Sequence, residues 1–556
     1  LLTQNGDYRR EGDQRAQNLR FSRSSFIMFM ISELISHAFV QINNPQERAT
    51  RPNQDLPRYL KKIILTIPTS TPSFEQNILK KRANDALDLV WSLLKIPEGR
   101  ASFPKPELII EWDEASCSQQ VFLYNEIAEN FKGLTKEYFS KFGTNRNLQG
   151  NLQKTLRIAS IDIGGGTTDL MVTTYFCESD KVIVPLQEFR EGFRVAGDDI
   201  LYELTKELVI PAIERHLFRE GGSFAETSIA NFFKGNPDAE QVQLRSTFVN
   251  SVLLPVAINL MKQFESTKTV SAAIDFSTDL EGNQKLRDTV FQKLAFDSGL
   301  QNWPGNNFSL TVDVTEFNHC VQNVLSRVID NISQALNEFK SDIILLTGRP
   351  SKLQVIRELF EKKFLISPHK LISLHSYKVG SWYPFRDAKT GRIGDPKSTV
   401  AIGALLNSVS IHQLGNYSFR SDKLKLKSTA NYIGPMETTG RIPFDSILIN
   451  NTSEQHREEF DFEFHSTVYL GSKQINKDDW AGSSLYKLQL SADPAPTTPL
   501  TITFLRRSDA FDDDEYLNGD ENEYLKEVQL FKKKVEDYKL SRNKTINQIS
   551  KIKNDA

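Results

Sequence analysis

The chain has 556 residues, 39% of them hydrophobic and 25% charged, with 68 basic side chains against 70 acidic ones. This is enough for two or three domains with sizeable cores and matches the make-up of a globular protein, while the near-neutral balance gives no case for nucleic acid or an anionic membrane as the main partner. Three scattered cysteines, Cys117, Cys177 and Cys320, offer no disulfide framework or zinc spacing, and a reducing cytoplasm is the simplest setting.

The chain begins at Leu1 in a polar segment without a signal-peptide pattern, which reads as a fragment of a longer protein. Residues 24–42 combine dense apolar positions with Ser24 or Ser25 as N-cap and read as a largely buried helix. Glu33 and His37 interrupt its apolar run, and no transmembrane helix is expected anywhere. After a polar loop over 43–57, residues 62–68 (KIILTIP) read as a central strand ended by its proline. An amphipathic helix over 74–94 repeats Ile78, Ala83, Ala86, Leu87, Val90 and Leu94 at near-helical spacing.

A short strand over 107–112 leads into Asp113, Glu114, Ala115 and Ser116. A carboxylate at the carboxyl end of a strand is placed to face a cleft ligand, and is equally a good first-turn helix residue. On this ground Asp113 and Glu114 are rival candidates. Residues 119–142 read as helix and 143–154 as a polar link.

Residues 158–170, IASIDIGGGTTDL, form a hairpin in which an apolar strand runs into Gly164, Gly165 and Gly166 and a second strand leaves from Leu170. Successive glycines let backbone N–H groups converge on an anion, and Thr167 and Thr168 add hydroxyl donors. Asp162 and Asp169 bracket these donors. Carboxylates beside a phosphate cradle make sense when a hard cation such as Mg2+, with its water shell, lies between them and the phosphates.

A third strand follows over 181–189, and RVAGDDI (194–200) starts a helix at Gly197, Asp198 and Asp199. Residues 201–268 are helical in pattern, with an insert around Gly221 and Gly235; 311–317 turn from strand to helix, and 321–339 form an amphipathic helix. A buried strand over 343–346 ends at Thr347, Gly348, Arg349, Pro350 and Ser351 before a helix over 353–364. In DPKSTVAIGAL (395–405), Ala401, Gly403 and Ala404 allow close helix packing. From about His412 apolar residues alternate, as in Phe460, Phe462 and Phe464 or Leu500, Ile502 and Phe504, so 413–505 read as a β-rich domain. An acidic loop (509–523) and a charged helix (524–553) complete the chain.

The Asp-Ile-Gly-Gly-Gly-Thr-Thr-Asp hairpin resembles the second phosphate loop of the actin and DnaK-type chaperone ATPase superfamily. Segments 20–42, 61–91, the hairpin, 345–356 and 432–443 further resemble the virulence factor SrfB family. The resemblance implies an α/β, two-lobed actin/DnaK-like fold with ribonuclease H-like lobes: lobe I over 1–155, lobe II over 156–412 with a return to lobe I, then the β-rich domain 413–505 and the tail 506–556. It implies Mg-ATP between the lobes. Asp162 and Asp169 would order metal-bound water with help from Glu114, and residues 164–168 would hold phosphate oxygens. Gly197 and Asp198 would close over them, Lys262 would face adenosine, and the Gly348 turn would let Arg349 stack on adenine.

This sequence departs from the superfamily at Ala196, Thr347 and Arg349, and Asp395 lies two residues early. Gly6 and Gly12 sit in charged surroundings, so a first phosphate loop of the Asp-x-Gly-Thr kind is absent from the chain as given. The function implied is ATP binding, with slow hydrolysis an open question, and lobe closure that controls a protein partner through the β-rich domain or the C-terminal helix. The alternative is a scaffold that keeps the fold without turnover. A sugar or acetate kinase ranks third, because no acceptor pocket or base is identifiable.

Overall fold

A computed structural model describes residues 23–505 apart from 70, 72, 94–103, 149, 180, 267, 281–283, 304, 306–307, 365–366, 425–430, 438, 451–456, 463–466, 478–479, 481 and 490–499. The expected acidic loop and charged C-terminal helix lie outside the described residues. The chain divides into two units, one ending at Thr429 and the other starting at Ala430.

The first unit opens with α1 (Arg23–Asn43), α2 (Pro45–Ala49), β1 (Lys62–Ile64), α3 (Ser73–Leu93) and β2 (Glu107–Ile109). β1 and β2 pair in parallel, with Lys62 opposite Glu107, and α3 makes the crossover that parallel pairing requires. Ile31 and Ile35 of α1 meet Ala83, Ala86, Leu87 and Val90 of α3 over Ile67 and Ile110. The strand expected over 62–68 is shorter: Pro68 has no N–H to extend a ladder, and beyond Ile64 the pairing narrows to a bridge between Ile67 and Asp113. α1 is also not largely buried. Its Phe26, Met30, Leu34 and Val40 are 48%, 55%, 62% and 65% exposed, so only one stripe of an apolar helix finds a partner among the described residues.

Next come α4 (Glu114–Tyr124), a π-helical turn (Asn125–Asn130), α5 (Thr135–Phe142) and strands β3 (Thr144–Leu148), β4 (Asn151–Ile163), β5 (Thr168–Glu178) and β6 (Val182–Phe193). The link expected over 143–154 is instead a hairpin in which Thr144 faces Thr155. Its strand is polar because it is fastened by charge: Arg146 pairs with Asp342 at 2.7 Å, and the Thr144 hydroxyl donates to the same carboxylate at 2.6 Å.

A helical region follows: α6 (Gly197–Leu204), α7 (Ile210–Arg219), α8 (Ala225–Phe232), α9 (Ala239–Phe248) and α10 (Leu254–Phe264). The pair β7 (Ser271–Asp275) and β8 (Ser309–Asp313) flanks α11 (Gln284–Asp297). α12 (Val314–Phe339) starts seven residues before the expected 321, because Asp313 accepts from the N–H groups of Thr315 and Glu316 while Glu316 returns a bond to Asp313 N–H.

β9 (Ile343–Thr347), α13 (Gln354–Lys363), β10 (Leu371–Ser373), α14 (Ser398–Ser410) and β11 (Ser418–Phe419) complete the unit. The main sheet runs β10-β9-β4-β5-β6-β11, with β3 also on β4. β10, β9 and β4 are parallel, whereas β4, β5 and β6 form an antiparallel meander. α4 and α14 cover this sheet around Val121, Phe122, Leu156, Ile158, Tyr175 and Leu345. A Cβ on Gly403 of α14 would stand 1.8 Å from the Cys117 carbonyl oxygen of α4, so the two helices are in backbone contact. The protein is mixed α/β.

The second unit contains β12 (Tyr432–Met436), β13 (Ile449–Asn450), β14 (Arg457–Phe462), β15 (Thr467–Lys473), β16 (Ser483–Gln489) and β17 (Leu500–Leu505). They form an antiparallel sheet, β13-β12-β15-β16, and a separate antiparallel pair, β14 with β17. Ile442, Ile449, Leu470 and Trp480 are buried within it. Residues 413–424 belong to the first unit, where Ser418 and Phe419 pair with β6.

Two stretches, Phe26–Asn43 and Ala239–Phe264, are long and apolar enough to cross a membrane by length and composition, where the sequence suggested none. Neither is shown to span one. In the second stretch Phe248, Val252, Leu253, Val256, Ala257 and Leu260 are buried in the protein.

Candidate functional site

β4 and β5 bring Asp162 opposite Asp169 and Ile163 opposite Thr168, with the glycines forming the turn between them. Gly164 N–H donates to the Thr167 carbonyl at 2.8 Å, while the N–H groups of Gly165 and Gly166 have no hydrogen-bond partner among the described residues. A Cβ on Gly166 would meet nothing within 4 Å, and one on Gly165 would meet only the Asp198 carboxylate, at 3.4 Å. These two glycines therefore leave an open surface with unused donors. Such a surface suits an anion. The two threonine hydroxyls are engaged elsewhere, Thr167 donating to Asp169 at 3.2 Å and Thr168 to the Val195 carbonyl at 2.7 Å.

Packing requires two other glycines. Gly348, just after β9, has φ +80°, and a Cβ there would stand 2.0 Å from the Ile163 carbonyl oxygen. On Gly197, at the start of α6, a Cβ would meet the Gly164 oxygen at 2.9 Å and Pro350 at 3.1 Å. Gly197 N–H and Asp198 N–H donate to the carbonyls of Gly164 and Gly165 at 3.1 and 2.7 Å. The hairpin is thus held between the start of α6 and the short 3-10 turn Arg349–Lys352.

Beside it lies a cavity of about 200 Å³ lined by Gly164, Gly165, Gly197, Asp198, Leu201, Ile258, Met261, Lys262, Arg349, Pro350 and Lys397. Six residues singled out from the sequence line it: Gly164, Gly165, Gly197, Asp198, Lys262 and Arg349. Gly348 lies beneath the hairpin, and Gly166, Thr167, Thr168, Asp162, Asp169 and Glu114 are not among the lining residues. Arg349 is held by Glu265, to which its Nε donates at 3.0 Å, and Lys352 lies 3.6 Å from the same carboxylate.

Asp162 and Asp169 are 6% and 2% exposed. Burial, reinforced by the charge of Glu114, pushes the Asp162 carboxyl up to about 7. Burial and the charge of Asp162 push Asp169 up to about 7 as well. Glu114 is raised by burial against the opposing pull of Lys397. Its rival Asp113 is a fully occupied cap that accepts from Ser116 N–H at 2.8 Å, Ser116 Oγ at 3.0 Å and Thr69 Oγ1 at 3.3 Å. Glu114 is left uncommitted by capping, and the charges of both Glu114 and Asp113 reach Asp169 of the hairpin.

A Mg2+ ion fits this chemistry in a limited way. Among the described residues no three His, Cys, Asp or Glu side chains assemble as a metal site. Asp169 Oδ1, however, is buried without a hydrogen-bond partner beside a second raised carboxylate, and a cation would relieve both. With one or two carboxylates, Mg2+ takes its remaining ligands from water and substrate phosphates. At about 200 Å³ the cavity is smaller than pockets that enclose a whole small molecule, which run to roughly 300–1,000 Å³.

Sequence reasoning missed three charged residues. Lys397 lines the cavity, Glu265 clamps Arg349, and buried Arg190 of β6 lies within electrostatic reach of Asp113 and Asp169. Arg190 has a local signal, an arginine within a strand beside the glycine hairpin, whereas an isolated exposed lysine and a long-range ion pair leave no local pattern.

Comparison with curated proteins gives no match. The sequence profile of the family described as virulence factor SrfB matches residues 4–544. With nearly its whole length matched, the chain belongs to the virulence factor SrfB family.

Proposed function

We propose that this chain binds Mg-ATP with its phosphates against the glycine hairpin, between two lobes arranged as in actin and DnaK-type ATPases, lobe I over 1–155 and lobe II over 156–412. The carrying observation is convergence: five separate parts of residues 156–412, represented by Gly165, Gly197, Lys262, Arg349 and Lys397, line one cavity at the end of β4. Gly165 and Gly166 would donate to phosphate oxygens, and Lys262 and Arg349 would face the nucleoside. Bound Mg2+ would supply the positive charge that the carboxylate pair lacks. Asp162 and Asp169, with help from Glu114, would order water around the metal, so hydrolysis would be slow and would work by positioning rather than by a strong nucleophile. Lobe closure would then pass the nucleotide state to a protein partner in the cytoplasm through the β-rich domain or the C-terminal helix.

A scaffold that retains the fold without turnover is the second reading. It is favoured by the involvement of Thr167 and Thr168 in internal hydrogen bonds and of Arg349 in an ion pair. Calorimetric titration of Mg-ATP into the full chain and into Asp169→Ala separates the two. Saturable binding that the substitution weakens at least about tenfold supports the nucleotide reading. Absence of binding by the unsubstituted chain puts the scaffold first.

A further inference from the structure

We propose that Lys397 is the protein's own phosphate-binding cation at this cleft, a reading that rests on the proposed nucleotide site and deepens it. Lys397 lines the cavity with Gly164, Gly165 and Gly197. It is exposed and has no ion pair among the described residues. It is close enough to Asp162 and Glu114 to favour their charged forms. A lysine that makes no salt bridge, at the mouth of a pocket with unused N–H donors, is placed to receive a negatively charged ligand.

Its backbone is fixed by the surrounding structure. Lys397 N–H donates to Asp395 Oδ1 at 3.1 Å, and the next residue, Ser398, bonds to Asp395 O at 2.7 Å and shares a hydrogen with the Tyr383 hydroxyl at 2.6 Å. Thr399 Oγ1 lies 3.1 Å from Ser118 Oγ of α4, the helix that begins with Glu114. The lysine stem therefore leaves from a point held against the same helix that carries the coupled carboxylate. Its ammonium can meet a terminal phosphate whether or not a divalent metal is present.

The ligand chemistry is polyphosphate, supplied by a nucleotide or by a free polyphosphate. The test is calorimetric titration of the full chain and of Lys397→Ala, Lys397→Glu and Lys397→Arg with ATP and with tripolyphosphate, each in EDTA and in excess Mg2+, with melting temperature as a control for folding. Lys397→Ala is expected to lose about tenfold or more in EDTA and less in Mg2+, Lys397→Glu to lose more, and Lys397→Arg to retain most affinity. Equal loss of ATP and tripolyphosphate assigns the contact to phosphate; loss confined to ATP assigns it to the nucleoside and overturns the proposal. Unchanged affinity of Lys397→Ala in EDTA overturns the lysine assignment while leaving the nucleotide site standing. A chain that binds neither ligand in either medium overturns both.

Discussion

Gly348 lies so close beneath Ile163 that a methyl group on it would stand 2.0 Å from the Ile163 carbonyl oxygen and 2.5 Å from Asp162 Oδ1. The end of β9 is thereby locked to the end of β4, where the proposed phosphate hairpin begins, and the positive φ at Gly348 adds backbone strain for any other residue. Gly348→Ala is expected to destabilise the chain by about 3 kcal/mol or more. Urea unfolding measures this; a loss under about 1 kcal/mol would show that the turn moves freely.

The helix pair behind the site is equally tight. Gly403→Ala places a methyl group 1.8 Å from the Cys117 carbonyl oxygen and must push α14 away from α4. Because α14 follows Lys397 and α4 starts with Glu114, the displacement should separate those two charges as well as cost about 2–4 kcal/mol. Denaturant unfolding gives the first effect, and nucleotide affinity at a temperature where the variant is folded gives the second. A variant with both quantities unchanged would contradict the packing described.

Asp162 and Asp169 make the ligand-free protein sensitive to pH in an unusual direction. Both carboxyls are raised from 3.8 to about 7, so between these values the folded chain holds protons that the unfolded chain has released. Their contribution to stability is present below pH ~4 and is lost as pH rises through ~7. Asp162→Asn, which removes one of the repelling charges, is expected to stabilise the ligand-free chain at pH 7.5 by about 1–3 kcal/mol and to flatten its pH profile. Parallel melting profiles for the two proteins from pH 5 to 8 would count against this.

Arg349 and Glu265 form an ion pair at the rim of the cavity. If Arg349 faces the nucleoside, Arg349→Ala should weaken ATP several-fold and leave tripolyphosphate unaffected, and Glu265→Ala should alter ATP affinity in the same selective way. Calorimetry with both ligands reads the difference; equal losses for the two would move Arg349 to the phosphate.

How much the sequence disclosed depends on whether the cause was local. The glycine hairpin was legible because apolar strands flank a glycine run, and α3 because its apolar residues recur at helical spacing. β3 was hidden, since TNRNL is polar and is held by Asp342, nearly two hundred residues away. The burial of α1 was overstated for a related reason: apolar density tells that a helix can be buried, and only its neighbours decide which face is. At the site, Gly197, Lys262 and Arg349 could be named individually, but their meeting in one cavity depends on how α6, α10 and the turn after β9 pack together. Lys397 looked like any solvated lysine.

Nucleotide phosphates are proposed to rest against the glycine hairpin. Hydrogen–deuterium exchange of the full chain with and without Mg-ATP tests it most directly, because the N–H groups of Gly165 and Gly166 are free to exchange among the described contacts. Slower exchange on adding Mg-ATP is expected in peptides covering residues 164–168. Binding with no slowing at 164–168 would place the nucleotide elsewhere and overturn the proposed site.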